Sequence, residues 1–451
     1  MSSEQNLNKN LCNIQEPILN EEQLKFIKML KIRRANGQCD PIFVSGNAGT
    51  GKTFLLKYLF QEMYLKEQIK VKKIAFTALA ARNIDGTTMH KLFRFSFTGE
   101  FKSNNINKDL YHIEMLIIDE ISMIHATYLD KMDEILRLTK HQPDLPFGGV
   151  QVVAFGDLYQ LPPVVESCNQ FKDQKIDERC YFAGVWKHFI LFTLTETMRQ
   201  NELDFITALN QLRIGDERGI GYFNRLRATQ TQLNPMQSTT LVTTVAGACK
   251  INDINNKKVC EQSNVVYDIE SRSKIRTAKN SELLYVHSAD SLGVIPEKIT
   301  LAIGSRILVT SNCVNSHCIN GDIGVIVDFV VNPDNKVDGI VFRSVSDKLL
   351  KLNKETLLFK TNNDGSYRNV IERTGFPINL AWAMTIHKMQ GATIDRLRIP
   401  LGSMFAHGQL YVALSRVRHS SGLELLQDVT KQMLLTNTNI KHVYQEMLTM
   451  E

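Results

Sequence analysis

VSGNAGTGKTFLL, running from Val44 to Leu56, decides the fold of the first half of this chain. Gly46, Gly51, Lys52 and Thr53 meet the spacing G-x-x-x-x-G-K-[ST] of a loop that cradles phosphate. In such a loop the backbone of Gly46, Asn47, Ala48, Gly49, Thr50 and Gly51 turns its N–H groups inward, which draws on the dihedral freedom of the three glycines. Lys52 would reach the β- and γ-phosphates, and the Thr53 hydroxyl would sit on Mg²⁺. Residues Pro41 to Ser45 read as a short buried strand, and Thr53 to Met63 have helical apolar spacing. The loop therefore opens a helix, whose N-terminus favours anions. ATP with Mg²⁺ is the expected ligand.

Composition sets wide limits. The 451 residues leave room for about two to four domains. Hydrophobic residues at 43% and charged residues at 22% are ordinary for a globular protein. The 53 basic and 47 acidic residues give a net charge of +6, which permits a nucleic-acid partner without demanding one. Eight cysteines are scattered without a CxxC pair, and Cys313 and Cys318, with His317 beside them, lack a second ligand cluster. Reduced thiols are expected rather than zinc. The opening MSSEQNLNKN has no signal-peptide core, and no apolar run approaches the roughly 20 residues that span a bilayer. A soluble, intracellular protein is expected, with no membrane partner.

A phosphate cradle needs one carboxylate for the metal and another group to orient water. EMLIIDEIS offers both: an apolar run, Met115 to Ile118, delivers Asp119 and Glu120 at its carboxyl end. Open α/β sheets place their ligands there. Asp119 is the metal candidate and Glu120 the candidate for water. In VQVVAFGDLYQLPPV, Val150 to Phe155 reads as another buried strand, followed by Asp157 and Gln160 before Pro162 and Pro163. An amide and a carboxylate at a strand tip suit either a γ-phosphate sensor or a stiff polar turn.

LIIDEISM, PFGGVQVVAFGDLYQLPPV, LTETMRQ, LAWAMTIHKMQGATID and GQLYVALSRVR follow one another in this order. Together they resemble the superfamily-one DNA helicases of the PIF-type and RecD/Dda group, from about Leu19 to about Leu425. The fold implied is α/β: two RecA-like parallel-sheet lobes, a small wedge insertion and an inserted Src-homology-three-like β-barrel. Residues 1–18 would be a polar tail and 19–200 the first lobe, with the wedge at about 94–109. Residues 201–260 and 376–451 would form the second lobe, and 261–375 the barrel, whose short strands are separated by turns such as Asn320-Gly321-Asp322.

The resemblance also implies roles. Lys52, Glu120, Gln160, Arg199 and Arg416 would be catalytic, the two arginines supplying cations to the γ-phosphate. Gln23 would read the adenine edge, with Gln390 and Gly391 approaching the nucleotide from the other lobe. Thr77, Thr88 and His90 in the first lobe, and Thr385, His387 and Lys388 in the second, would contact single-stranded DNA. Where the family has a threonine-glycine step, this chain has Thr77-Ala78, which argues against the closest backbone approach there. Phe93, Phe95 and Phe97 alternate as on one face of a strand, with core packing favoured over base stacking and Arg94 outward. The implied activity is an ATP-dependent DNA helicase, a monomer moving 5′-to-3′ on single-stranded and forked DNA in replication, repair or recombination. The rivals are an RNA or hybrid translocase, and a DNA-stimulated ATPase that remodels bound protein without unwinding.

Overall fold

The computed structural model describes residues 19–95, 106–163, 179–197, 202–277, 286–287, 293–313, 316, 318–345, 347–360, 369–402 and 404–450. Six strands come first: β1 (Ile42–Gly46), β2 (Val71–Ala75), β3 (Thr87–Thr88), β4 (Met115–Asp119), β5 (Gln151–Gly156) and β6 (Ile190–Leu194). They form one sheet in the order β3-β2-β4-β5-β1-β6, every pairing parallel. Helices α1 (Glu21–Ala35), α2 (Lys52–Gln61), α3 (Ala78–Asn83), α4 (Met89–Phe93) and α5 (Ala126–Lys140) are interleaved with these strands.

Strands buried on both faces read as unbroken apolar runs, and their alternation divides them between two cores. Phe43, Leu116, Ile118, Val152 and Ala154 face one core, against Leu129, Met132, Ile135 and Leu136 of α5. Ile42, Val44, Ile117, Val153 and Phe155 face the other, against Phe26 and Leu30 of α1 and Leu55, Leu56 and Leu59 of α2.

The second half begins with α6 (Leu203–Arg213), α7 (Arg218–Thr229), β7 (Thr239–Val242) and α8 (Val245–Gln262). A long antiparallel region follows, from β8 (Val266–Glu270), β9 (Arg272–Thr277), β10 (Val286–His287), β11 (Lys298–Ala302) and β12 (Arg306–Val309) to β13 (Ile323–Val331). It continues through β14 (Val337–Ser344), β15 (Leu349–Asn353), β16 (Glu355–Lys360), β17 (Asn369–Gly375) and β18 (Ile378–Leu380). The strands pair as β15-β14-β13-β12-β18, as the ribbon β11-β8, and as β10-β16-β17-β9, where only β10 runs parallel to its neighbour. A second parallel sheet, β19-β7-β20-β21, then takes in β19 (Ala383–Thr385), β20 (Leu397–Ile399) and β21 (Leu423–Leu425). Helices α9 (Gln409–Leu414) and α10 (Ile440–Glu446) complete the chain. Among the described residues, no helix is long and apolar enough to cross a membrane.

Three expectations need correction. The described part of the Phe93-to-Phe97 stretch, Phe93 to Phe95, is not a strand: the Thr88 hydroxyl caps α4, which ends at Phe93, and Arg94 turns left-handed at φ 55°. Phe93 and Phe95 are nonetheless buried core residues and Arg94 is exposed, as expected, while Phe97 and most of the wedge segment lie outside the described residues. The antiparallel region extends past Gly375, because Ile378–Leu380 pairs with β12. The C-terminal stretch does not stay with the second lobe. Ile440 enters the core of the first sheet, and the Leu191 N–H donates to Leu448 O (2.7 Å) while the Met450 N–H donates to Leu191 O (2.8 Å). Apolar side chains at 440 and 450, carried across on a short connection, explain the crossing.

The junction between the antiparallel region and the second parallel sheet is polar inside. Asn252 of α8 donates to Leu380 O (3.1 Å) and Ala383 O (3.0 Å) and accepts from the Ala383 N–H (2.7 Å). Asn256, one turn on, donates to Thr300 O (2.7 Å) and accepts from the Ser305 hydroxyl (2.7 Å). Asn252→Ala strands buried backbone groups and is expected to cost about 2–3 kcal/mol. A lower denaturation midpoint, read from the fluorescence of the adjoining Trp382, checks it.

Candidate nucleotide and nucleic-acid site

The phosphate loop leaves the carboxyl end of β1 and enters α2 through Gly51, left-handed at φ 78°. A Cβ at Gly46 would collide with the Thr50 hydroxyl, so any side chain there would displace Thr50 from the loop. Lys52 Nζ donates to Gly46 O (2.6 Å) and Asn47 O (2.9 Å), spanning the loop. Burial lowers its pKa, opposed by the charges of Asp157, Glu120 and Asp119. Thr53 is exposed on the first turn of α2. Gln23 is buried and closes a capping box with Asn20 at the start of α1, while its amide approaches Thr50 O at 3.4 Å. The structure thus puts Gln23 behind the loop with both ends of its amide engaged.

Asp119 ends β4 and accepts from the Glu120 N–H (3.0 Å). Burial first, then the neighbouring Glu120 charge, pushes its carboxyl up to about 7. Glu120 is left-handed at φ 52°, which turns its side chain toward the second lobe. There Gln390, fully buried, aims Nε2 at Glu120 Oε2 (3.2 Å), Ser122 Oγ (3.4 Å) and Gln160 Oε1 (3.4 Å). Three acceptors share an amide with two hydrogens, and among the described residues Gln390 Oε1 has no hydrogen-bond partner. Gly391, beside it, accepts from Asn83 Nδ2 (2.6 Å). The structure brings Glu120, Gln160, Gln390 and Gly391 together across the lobe boundary.

Asp157 is fully buried and binds Arg213 through two parallel bonds of 2.8 Å. The Tyr411 hydroxyl donates to the same carboxylate (3.2 Å) and accepts from the Ala48 N–H of the phosphate loop (2.8 Å). Tyr444 stacks on Tyr159 at 5.9 Å, and its hydroxyl meets Ser45 Oγ (2.7 Å) and accepts from the Leu158 N–H (3.2 Å). Sequence reasoning missed Arg213, Tyr411 and Tyr444. Tyr411 stands inside the YVALSR block and was within reach, but no local pattern marks Arg213 or Tyr444.

Arg416 lies in the second lobe with Nε on Val412 O (2.8 Å), Nη1 on Ala392 O (3.2 Å) and Nη2 on Ser415 Oγ (2.9 Å). These three bonds turn it onto its own lobe. Arg199 lies outside the described residues.

The nucleic-acid candidates cluster at the carboxyl ends of parallel strands. Thr77 caps α3, Thr88 caps α4, and the Thr385 hydroxyl accepts from the Lys388 N–H (3.4 Å). Lys388 is exposed. His387 stacks on the exposed ring of Phe405 at 6.1 Å and 21°. His90 is enclosed by Phe76, Phe95 and Tyr128, with His125 nearby. Burial there pushes its imidazole from 6.5 down to about 4, with the His125 charge a smaller cause. His90 is therefore neutral at neutral pH.

A His with a depressed folded pKa binds its proton more readily when unfolded. Its neutral-state stability is complete above pH 6.5 and is lost as the pH falls toward 4. The loss is expected to reach about 3 kcal/mol, and His90→Gln should flatten stability across that window in denaturant titrations.

The sequence profile of the PIF1-like helicases matches residues 18–217. The chain is 30% identical over 428 residues to the ATP-dependent DNA helicase PIF1 of Rattus norvegicus, covering 91% of this chain and 61% of that one. It is 28% identical over 449 residues to the ATP-dependent DNA helicase Pif1 of Bdellovibrio bacteriovorus, covering 97% and 94%. The crystal structure of Bacteroides Pif1 bound to single-stranded DNA superposes with a TM-score of 0.75 at 30% identity, covering 95% and 97%. The chain spans about six-tenths of the length of several curated relatives that it matches, 58% to 63%.

Proposed function

We propose, from the premise that the chain belongs to the PIF1-like helicase family, that it is an ATP-dependent DNA helicase. It translocates along single-stranded DNA 5′-to-3′ and separates forked duplex. The observation that carries this reading is the crossing of the lobe boundary at the phosphate loop. The second lobe's Tyr411 holds the Ala48 N–H, and Gln390 sits among Glu120, Gln160 and Ser122. A ligand bound there touches both lobes, so its hydrolysis changes what holds them together.

Backbone N–H groups of the loop and Lys52 bind the phosphates, and Gln23 exchanges its bonds to the Asn20 N–H and Thr50 O to read the adenine edge. Glu120 and Gln160 hold the attacking water. Arg199 and Arg416 answer the charge developing on the γ-phosphate, for which Arg416 exchanges its bonds to Val412 O and Ala392 O. The donor set suits Mg²⁺: one buried carboxylate and one hydroxyl, with phosphate oxygens and water for the rest. Among the described residues, no group of three or more His, Cys, Asp or Glu could hold a metal. Thr53 and Asp119 would hold the ion, which supplies positive charge to the phosphate oxygens.

Thr77, Thr88 and His90 on one lobe and Thr385, His387 and Lys388 on the other take the DNA. They grip its backbone, since a translocating enzyme must be indifferent to sequence. The antiparallel region, as a Src-homology-three-like clamp, docks on the first lobe through Arg82 and Asp322 at 2.6 Å. Its partner is the wedge in the segment at about 94–109. That the related Bacteroides protein is bound to single-stranded DNA supports single-stranded DNA as the ligand.

Forked-duplex unwinding measured beside ATP hydrolysis tests the proposal. Lys52→Ala is expected to abolish both, and hydrolysis without strand separation would replace the helicase reading with remodelling of bound protein. Arg416→Ala is expected to slow hydrolysis by about 10³- to 10⁵-fold while nucleotide still binds. Undiminished turnover in that variant would refute the two-lobe mechanism.

A further inference from the structure

We propose that Arg213 is a positioning residue for hydrolysis: it grips Asp157 across the lobe boundary and thereby sets the tip of β5, with Gln160, against Glu120. The proposal rests on the nucleotide-hydrolysis reading above and names a residue which that reading does not use.

Arg213 is the last residue of α6, a helix whose Phe205, Leu209 and Leu212 are packed into the second lobe's core. Its backbone is therefore part of that lobe. Its guanidinium lies 4.5 Å over the Tyr159 ring and forms two bonds to Asp157, a residue of the first lobe. Two parallel bonds from a planar fork fix orientation as well as distance, which a single charge cannot do.

Asp157 passes that orientation on. Its carboxylate accepts from four donors: Arg213 Nε and Nη2, the Tyr159 N–H (3.1 Å) and the Tyr411 hydroxyl (3.2 Å). Its carbonyl accepts from the Gln160 N–H (3.0 Å), closing the turn that carries Gln160 toward Gln390 and Glu120. Tyr411, on the same carboxylate, holds the Ala48 N–H. One buried carboxylate thus links the phosphate loop, the Gln160 turn and the second lobe. A buried ion pair is a weak source of net stability, since desolvation offsets most of the attraction. The fork geometry is what an apolar contact at this place would lack.

The test is steady-state ATP hydrolysis by the full chain at saturating single-stranded DNA, comparing wild type, Arg213→Gln, Arg213→Lys and the double variant Asp157→Asn/Arg213→Gln. Arg213→Gln is expected to lower kcat about 100-fold, the scale of an ångström's misplacement. KM for ATP should stay within about threefold, as for a group acting in the transition state. Arg213→Lys should recover only part of the loss, and the double variant should fall no further than the single one. If Arg213→Gln does not fold, Arg213→Lys is judged by the same split between kcat and KM. Unchanged kcat with a lowered melting temperature would overturn the proposal in favour of a structural pair. A raised KM at unchanged kcat would overturn it in favour of simple nucleotide binding. A wild-type chain without ATP turnover that Lys52→Ala removes would instead refute the hydrolysis reading, and this proposal with it.

Discussion

A carboxylate shut away from water must be met by a cation and saturated with donors, or its burial is strongly destabilising. Asp157 is in that position at the tip of β5, and its cation comes from the other half of the molecule. That constraint explains much of the surrounding architecture. Arg213 can reach Asp157 only if α6 ends against the first sheet. Gly408, at the start of α9, must be glycine because a Cβ would run into Tyr159 O. The Tyr411 hydroxyl is then delivered to the phosphate loop by the same helix. Close approach of the two lobes and satisfaction of one buried charge are the same requirement.

The first sheet was legible because its chemistry is local. A loop of fixed spacing, a buried strand before it and carboxylates after a second buried strand each occupy a few consecutive residues. Alternate residues of β4 and β5 feed opposite cores, so both strands read as unbroken apolar runs. The aromatic alternation after His90 misled for a different reason. Period two resembles a strand, yet the Thr88 cap and the left-handed Arg94 impose a short helix that still buries Phe93 and Phe95. Arg213 was illegible because its partner lies 56 residues away and nothing near LNQLRIGD announces it. Asn252 of α8 was visible in the sequence, but its partners at Leu380 and Ala383 exist only once the second lobe has closed on its antiparallel insertion.

Helix α3 is held from two sides. Asn83 donates to Gly391 O in the second parallel sheet's loop, and Arg82 pairs with Asp322 at the turn between β12 and β13. Leu79 lies under Gly321 of that same turn, where a Cβ would come within 3.0 Å of it. A short helix following Thr77 therefore senses both the second lobe and the antiparallel region. Changes at either are felt one turn from a residue assigned to the DNA path.

Among the described residues, the chain belongs to the first lobe up to β6 and to the second from α6, and it returns to the first between Leu435, whose carbonyl takes the Gly408 N–H, and Ile440. Two covalent crossings pin a line, as two hinges pin a door. Swinging about that line leaves both crossings slack, whereas twisting about any other would stretch one of them. Tyr444 sets the second hinge beside Ser45, next to the phosphate loop. Displacement in a swing grows with distance from the hinge, so a rotation that barely disturbs the loop sweeps remote surfaces much farther.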